Sequence, residues 1–340
     1  MILPFYHPTS VVFVDDSTDF LLNLSLQLDS QLAFRLFSSP QIAVDWINSQ
    51  SERLASNTDS LFSPYRYSFE EHLRSHKVID VNFEITEKLM LDADRFKRVA
   101  VVVVDYDMPA MDGLEFCRQI KDKNVKKILL TGKADETVAV KAFNNGDIDR
   151  FIVKQSANAI ADLNNEIAKL QHKYFASLES HLLSAITVKS HQFLQDAIFE
   201  NVFLETCDQF GIVEYYVTLE PQGILMIDRN GSAYLLLVME DENLAAHFEI
   251  AEAQGATAEM LAILKAGKHI PYFGKENLFY APQYQHAWRD YLHPADMIAG
   301  ERQHYRYAVI KQPLEFEIAH IPVYQDYLIQ IDQLGVNACA

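Results

Sequence analysis

The chain has 340 residues and a mass of 38.9 kDa, and at about 100–200 residues per domain this length predicts two domains. With 49% hydrophobic and 22% charged residues it is neither disordered nor membrane-like. Its longest apolar runs, such as Val99 to Val104, are strand-sized and too short to span a bilayer. The formal net charge is −18 and unevenly spread: residues 1–173 carry −5 and residues 174–340 carry −13. Because DNA affinity depends on basic groups displacing counterions from phosphates, the acidic second half argues against DNA as a partner without removing it. Residues 1–8 lack the basic start and apolar stretch of a signal peptide, and the three cysteines, Cys117, Cys207 and Cys339, are far apart. A soluble cytoplasmic protein in a reducing compartment is the expectation.

In chain order, Val11 to Asp15 is an apolar, β-branched run ending in carboxylates. A helical pattern follows with Phe20, Leu21, Leu24 and Leu28 on one side. Phe34 to Phe37 is a short strand, and Ile42, Trp46 and Ile47 mark a second helix. Further strands are predicted at Val99 to Asp105, Lys127 to Thr131 and Arg150 to Lys154, separated by helical patterns at Leu114 to Ile120 and Val138 to Phe143. Continuous apolar strands alternating with helices predict a doubly wound, five-stranded parallel sheet covered on both faces, with the α/β domain spanning residues 9–165.

A segment of about residues 50–97 interrupts this alternation. A plain αβ connection needs only about 2–6 residues, so this is an insertion. Helical patterns at Phe69 to Leu73 and Ile85 to Leu91 predict one or two surface helices within it.

From Ala157 onward, Ile160, Leu163, Ile167, Leu170 and Tyr174 step by three and four, and neither Gly nor Pro occurs from Ser156 to Phe210. This predicts a helical connector over residues 157–210, either as the last helix of the sheet domain running on or as a dimerising coiled coil. Residues 211–340 change character. Strands are predicted at Ile212 to Leu219, Gly223 to Asp228, Ser232 to Met239 and His304 to Ile310, with an Asn230-Gly231 hairpin turn. Helices are predicted at Glu242 to Ala253 and Ala256 to Leu264, and Glu240-Asp241-Glu242 suits the first helix's positive N-terminus. Strands followed by helices predict an antiparallel α+β domain.

Five features of the first domain converge. Asp15-Asp16 ends the first strand, Asp105 the third, Thr131 the fourth and Lys154 the fifth. Parallel strands bring such ends to one sheet edge, where ligands bind. Three carboxylates there repel one another unless a hard cation is present, and Mg²⁺ suits oxygen donors. A carboxylate beside that metal can attack phosphorus and form an aspartyl phosphate.

These residues, with the run Asp105-Tyr106-Asp107-Met108-Pro109-Ala110-Met111-Asp112-Gly113, resemble the receiver domain of two-component response regulators. The resemblance implies that Asp105 is the phosphoacceptor. Asp15 and Asp16 form the acidic metal-binding pair, and Asp107 offers its backbone carbonyl to Mg²⁺. It further makes Thr131 the switch hydroxyl, Lys154 the phosphate-neutralising lysine and Phe151 the switch aromatic. Implied partners are a sensor histidine kinase or phosphotransfer protein, and a second copy in a phosphorylation-linked homodimer. Two departures stand out: Gln155 replaces the usual proline after Lys154, leaving a cis bond there in question, and the insertion is unusual.

Asp105-Tyr106-Asp107 is also similar to the nucleophile motif of haloacid-dehalogenase-type phosphatases, but those have no use for an Asp-Asp pair on the first strand. For residues 211–340 three outputs stay open: protein interaction or dimerisation, DNA binding, and an enzyme acting on a nucleotide. His247, His269, His286, His293, His304 and His320 show no metal-ligand spacing. The aromatic stretch Phe279, Tyr280, Tyr284, Trp288 and Tyr291 is expected to be core, and Ala256 to Phe273 makes only a weak helix-turn-helix. The inserted sheet domain followed by an unclassified α+β domain is similar to the Legionella-type quorum-sensing response regulators. No catalysis beyond phosphoryl uptake and autodephosphorylation is expected.

Overall fold

The computed structural model describes residues 1–58, 84–109, 111–132, 136–186, 191–274, 278–313, 316 and 318–333. The described residues form two compact units, each assembled from separate stretches of chain. One draws on His7–Asp80, Asp92–His181 and Tyr324–Ala340, the other on Met1–Tyr6, Val81–Leu91 and Leu182–Val323. A two-residue strand, β1 (Phe5–Tyr6), opens the chain and belongs to the second unit.

The first unit is the parallel one. In order come β2 (Ser10–Val14), α1 (Thr18–Ser25), β3 (Phe34–Phe37) and α2 (Pro40–Thr58). The next helix, α3 (Glu84–Leu91), lies in the other unit. The parallel unit resumes with β4 (Val99–Asp105), α4 (Gly113–Gln119), β5 (Lys126–Thr131), α5 (Glu136–Asn145), β6 (Arg150–Val153) and α6 (Ala159–Ile186). The strands form one five-stranded sheet in the order β3-β2-β4-β5-β6, all parallel. Every residue of β2 and of β4 is buried, which is why these runs are continuously apolar rather than alternating. The α/β fold and the strand positions agree with the sequence reading to within a residue or so.

The insertion and the connector differ from expectation. Residues 50–58 continue α2, a 19-residue helix, instead of starting a separate element. The Phe69 to Leu73 pattern lies outside the described residues. The Ile85 to Leu91 pattern is met by α3, which buries Leu89 and Met90, exposes Lys88 and packs on a strand of the antiparallel unit.

The connector is not one helix. After α6, a short 3₁₀ turn (Gln192–Gln195) leads into α7 (Ala197–Phe210), because Asp196 caps a new helix by accepting from the Ile198 and Phe199 N–H groups at 3.0 and 3.1 Å. The apolar seam of α6 is occupied within the chain. Leu163, Ile167, Leu170 and Tyr174 are buried, the Tyr174 hydroxyl accepts from Arg98 at 3.4 Å, and Phe175 packs edge-on against His7. Among the described side chains these seam positions are used within the chain, which fits the sheet domain's own last helix.

The antiparallel unit adds β7 (Ile212–Thr218), β8 (Gly223–Asp228), β9 (Ala233–Met239), α8 (Asp241–Ala253) and α9 (Ala258–Ala266). Then follow β10 (His269–Pro271), β11 (Leu292–Pro294), β12 (Asp296–Ala299) and β13 (His304–Lys311). Its main sheet has six strands in the order β1-β7-β8-β9-β13-β12, with antiparallel pairing throughout. The predicted hairpin is present: Asp228 Oδ1 accepts from the Asn230 and Ser232 N–H groups, both at 2.8 Å, closing the β8–β9 turn. Ala256 to Phe273 does not form a helix-turn-helix. Gly267 ends α9 in the left-handed conformation (φ 64°), and the chain then pairs as β10 with β11. Tyr280 and Trp288 join the core with Leu244, Met260, Leu264 and Phe273, whereas Phe279 stays 38% exposed.

The last described helix, α10 (Tyr324–Gln333), belongs to the parallel unit. Its Tyr324, Tyr327, Leu328 and Ile331 cluster with Ala33 and Phe96.

Candidate functional site

Because β2, β4, β5 and β6 run parallel, their carboxyl ends fall on one edge of the sheet. The registers Val14 to Val104, Asp105 to Leu130 and Thr131 to Val153 place Asp15, Asp105, Thr131 and Lys154 in adjacent rows there. One ligand oxygen from each of Asp15, Asp16 and Asp105 lies within 4.8 Å of the others. Asp15 and Asp105 are buried, and Asp16 is exposed. The Lys154 ammonium joins two of the three, donating to Asp15 Oδ2 at 2.7 Å and pairing with Asp105 Oδ1 at 2.9 Å.

Burial pushes the Asp105 carboxyl above its ordinary range, and the negative charge of Asp15 adds to this; the hydrogen bond and charge of Lys154 oppose it but do not cancel it. Burial works against the Lys154 charge, yet the hydrogen bonds to Asp15 and Asp105 outweigh it and raise the lysine above its ordinary value. The ammonium is therefore charged at neutral pH. Thr131 is fully buried, with its hydroxyl donating to the Gly132 carbonyl at 3.1 Å.

The nine-residue run from Asp105 to Gly113 has a local physical reason at most positions. Met108 and Met111 are buried. Asp112 caps α4 by accepting from the Glu115 N–H at 2.7 Å. A Cβ on Gly113 would sit 2.4 Å from the Asp105 carbonyl oxygen and 2.8 Å from Leu129 Cδ1, so only glycine lets α4 start against the end of β4. Asp107 is exposed two residues past Asp105. Phe151 is half-buried and in register with Leu129. Residues two apart share a face of a strand, so Phe151 lies on the same side of the sheet as Thr131. The Lys154–Gln155 bond is trans, so the departure at Gln155 leaves the lysine on ordinary backbone.

Two residues of the site escaped the sequence reading. The Ser17 N–H donates to Asp15 Oδ1 at 2.9 Å while its hydroxyl caps α1, and the Phe20 ring lies 4.4 Å from the Lys154 ammonium. The position of Ser17 just before a helical pattern signalled a cap; nothing local signalled the ring beneath the lysine. The donor set is all oxygen, from three carboxylates, and this fits a hard divalent cation. The cluster draws its acids from the ends of β2 and β4, with the Asp-Asp pair for which a haloacid-dehalogenase-type site has no use.

Comparison with known proteins agrees with this geometry. The family model of the response regulator receiver domain matches residues 65–167. Among solved structures, the Legionella pneumophila response regulator LqsR is similar at 33% identity over 97% of this chain and 96% of that one, with a TM-score of 0.77. An adenylate cyclase from Rhodopirellula baltica is similar at 19% identity over 52% of this chain and 98% of that one, but its TM-score of 0.35 carries no argument. The same holds for a receiver domain protein from Clostridium thermocellum, at 18% identity over 48% of this chain and 95% of that one, with a TM-score of 0.31. The curated proteins contain no match. A relative at 33% identity over nearly the whole chain, together with the matching receiver model, means that this chain belongs to the response regulators.

Proposed function

We propose that Asp105 accepts a phosphoryl group from a sensor histidine kinase or phosphotransfer protein. One observation supports this above the others: a charged lysine shared between two buried carboxylates, 2.7 and 2.9 Å away, at the carboxyl edge of a parallel sheet. An Asp105 carboxylate oxygen attacks the phosphorus of a phosphohistidine. The new O–P bond forms as the P–N bond breaks, and the departing ring nitrogen keeps the electron pair. Asp15, Asp16, Asp105 and the Asp107 backbone carbonyl would hold Mg²⁺, which supplies neutralising charge to phosphoryl oxygens when bound. Lys154 then turns from Asp105 to a phosphoryl oxygen. Thr131 exchanges its bond to Gly132 for another such oxygen, and Phe151 follows it on the same side of the sheet. The α5-β6-α6 face changes shape as a result, biasing an existing equilibrium.

The output in this reading is altered dimerisation or protein interaction through the antiparallel unit, not catalysis. The −13 charge of residues 174–340 disfavours DNA as the target. No helix among the described residues is long and apolar enough to cross a membrane, which suits a cytoplasmic role beside a kinase. The architectural likeness to Legionella-type regulators favours signalling between cells.

Solution mass by light scattering tests the output, with and without Mg²⁺ and beryllofluoride, in wild type and Asp105→Asn. A monomer-to-dimer shift in wild type alone is expected. Intact-mass spectrometry after incubation with acetyl phosphate tests the acceptor. Wild type should gain one phosphoryl group and Asp105→Asn none; stable uptake by the variant at this site would overturn the assignment.

A further inference from the structure

The antiparallel unit contains a cavity of about 220 Å³ that shares no residue with the acidic edge. It forms where β7 hands over to β8 through Glu220, Pro221 and Gln222, with Val238 and Met239 of β9 and the start of α8 around it. Asn243, Ala246 and His247 are spaced three and four apart on α8, so one helix face presents all three to the cavity. The small Ala246 side chain leaves the space open.

The polar groups of this lining are unequally satisfied. The Asn243 amide donates to Gln222 Oε1 at 2.7 Å, which ties these two side chains together as a wall. His247 is only 9% exposed, and neither ring nitrogen has a hydrogen-bond partner among the described residues. Its ring packs against Phe279 with centroids 4.6 Å apart. Burial alone pushes its pKa down to about 4, so at neutral pH the imidazole offers one donor and one acceptor. A ligand hydroxyl can pair with either of these two nitrogens.

Charge and size narrow the ligand. Among the described residues, no lysine or arginine lines the cavity, and Glu220 is the one carboxylate. The start of α8, a natural anion site, is occupied by Glu240, Asp241 and Glu242. The described lining and the acidic start of α8 thus disfavour phosphate-bearing and carboxylate ligands, which sets this site against the nucleotide reading of the domain. A dry apolar cavity of roughly 150 Å³ holds benzene, so this one has room for a ring and a few further atoms.

We infer that this cavity binds a small uncharged molecule with a ring-sized apolar body and one hydroxyl group that pairs with His247. The inference is independent of phosphoryl transfer and gives the antiparallel unit a ligand input of its own.

The test uses the full chain labelled at histidine Cε1, with the His247 resonance assigned by its loss in His247→Leu. The probes are phenol, toluene and phenyl phosphate. Phenol should shift the His247 resonance saturably, while toluene and phenyl phosphate each bind at least ten-fold more weakly. Saturation-transfer spectra of His247→Leu should show phenol weakened about ten-fold and toluene unchanged, a factor equal to about 1.4 kcal/mol. Ala246→Phe, which fills the cavity, should abolish both. Thermal melting establishes that the variants are folded, and if Ala246→Phe is not, the phenol-to-toluene ratio in His247→Leu still decides. No shift with phenol up to its solubility limit, equal binding of phenol and toluene, or phenyl phosphate binding as tightly as phenol would each overturn the inference.

Discussion

At Asp105, function and stability pull against each other. Burial raises its carboxyl above the ordinary range despite the lysine at 2.9 Å. A folded-state pKa above the unfolded value of about 3.9 means that the folded chain binds this proton more tightly. Stability contributed here is present at low pH and is lost as pH rises from about 4 through the raised value. Asp105→Asn therefore removes a cost, and in the absence of divalent cations it should melt at a higher temperature than wild type at pH 7. The difference should shrink below about pH 4, where both side chains are neutral. Calorimetry at the two pH values checks this; a variant melting below wild type at pH 7 contradicts the balance of burial over the lysine bond. The raised Lys154 has the opposite sign: its contribution is complete below about pH 10.4 and fades above it, so it is constant across the physiological range. The residues of this site were legible because each closes an apolar run, and parallel strands of similar length end together. Phe20 was not, because its place beneath Lys154 depends on how α1 packs on the sheet edge.

Among the elements, the junction at Asp196 shows how a single side chain decides where a helix begins. One carboxylate oxygen holds the first turn of α7 and the other accepts from the Glu301 N–H at 2.7 Å, so the cap also fixes the β12–β13 loop. The residue is only 4% exposed. Asp196→Ala should cost about 2–4 kcal/mol, combining a lost cap with a buried N–H left unpaired. Urea unfolding measures it, and Asp196→Asn, which keeps the acceptor to α7, should recover part of the loss. A cost under about 0.5 kcal/mol, typical of a plain surface site, is the contrary result. The stretch without Gly or Pro, residues 156–210, carries two helices, α6 and α7. The absence of Gly and Pro permits a long helix, whereas a buried aspartate with two acceptor oxygens starts a new one.

Over the whole molecule, distant pieces of chain complete each unit. β1 pairs Phe5 with Tyr216 and Tyr6 with Tyr215, extending a sheet whose other strands begin after residue 211. At the opposite end, α10 closes the parallel unit. The Tyr324 hydroxyl accepts from the Ala33 N–H at 3.0 Å and donates to the Gln31 carbonyl at 2.7 Å, and Tyr327 reaches the Ser10 hydroxyl at 3.0 Å. Ending the chain after Val323 should destabilise this unit by several kcal/mol, on the order of 1.5–3 for each buried side chain removed. It should also raise binding of a hydrophobic dye, since Phe96 would lose its cover. An unfolding midpoint and dye signal equal to those of the full chain would show that α10 is dispensable. Tyr327→Phe isolates the polar part and should cost about 1 kcal/mol.

The amino-acid sequence by itself determined the parallel sheet, its strand ends and the acidic edge with its lysine and threonine. These are local facts: a continuous β-branched run must be buried on both faces, and its last residues must then meet those of its neighbours. It also determined the β8–β9 hairpin, whose turn is written in four consecutive residues. Only the tertiary structure decided that Phe5–Tyr6 joins the antiparallel sheet and that α10 returns to the parallel one. Only it decided that Leu163, Ile167, Leu170 and Tyr174 of α6 are buried within the chain and that His247 is buried against Phe279. Each of these depends on which surfaces meet across more than 60 residues of intervening chain or on what a side chain finds when buried, and no local pattern encodes either.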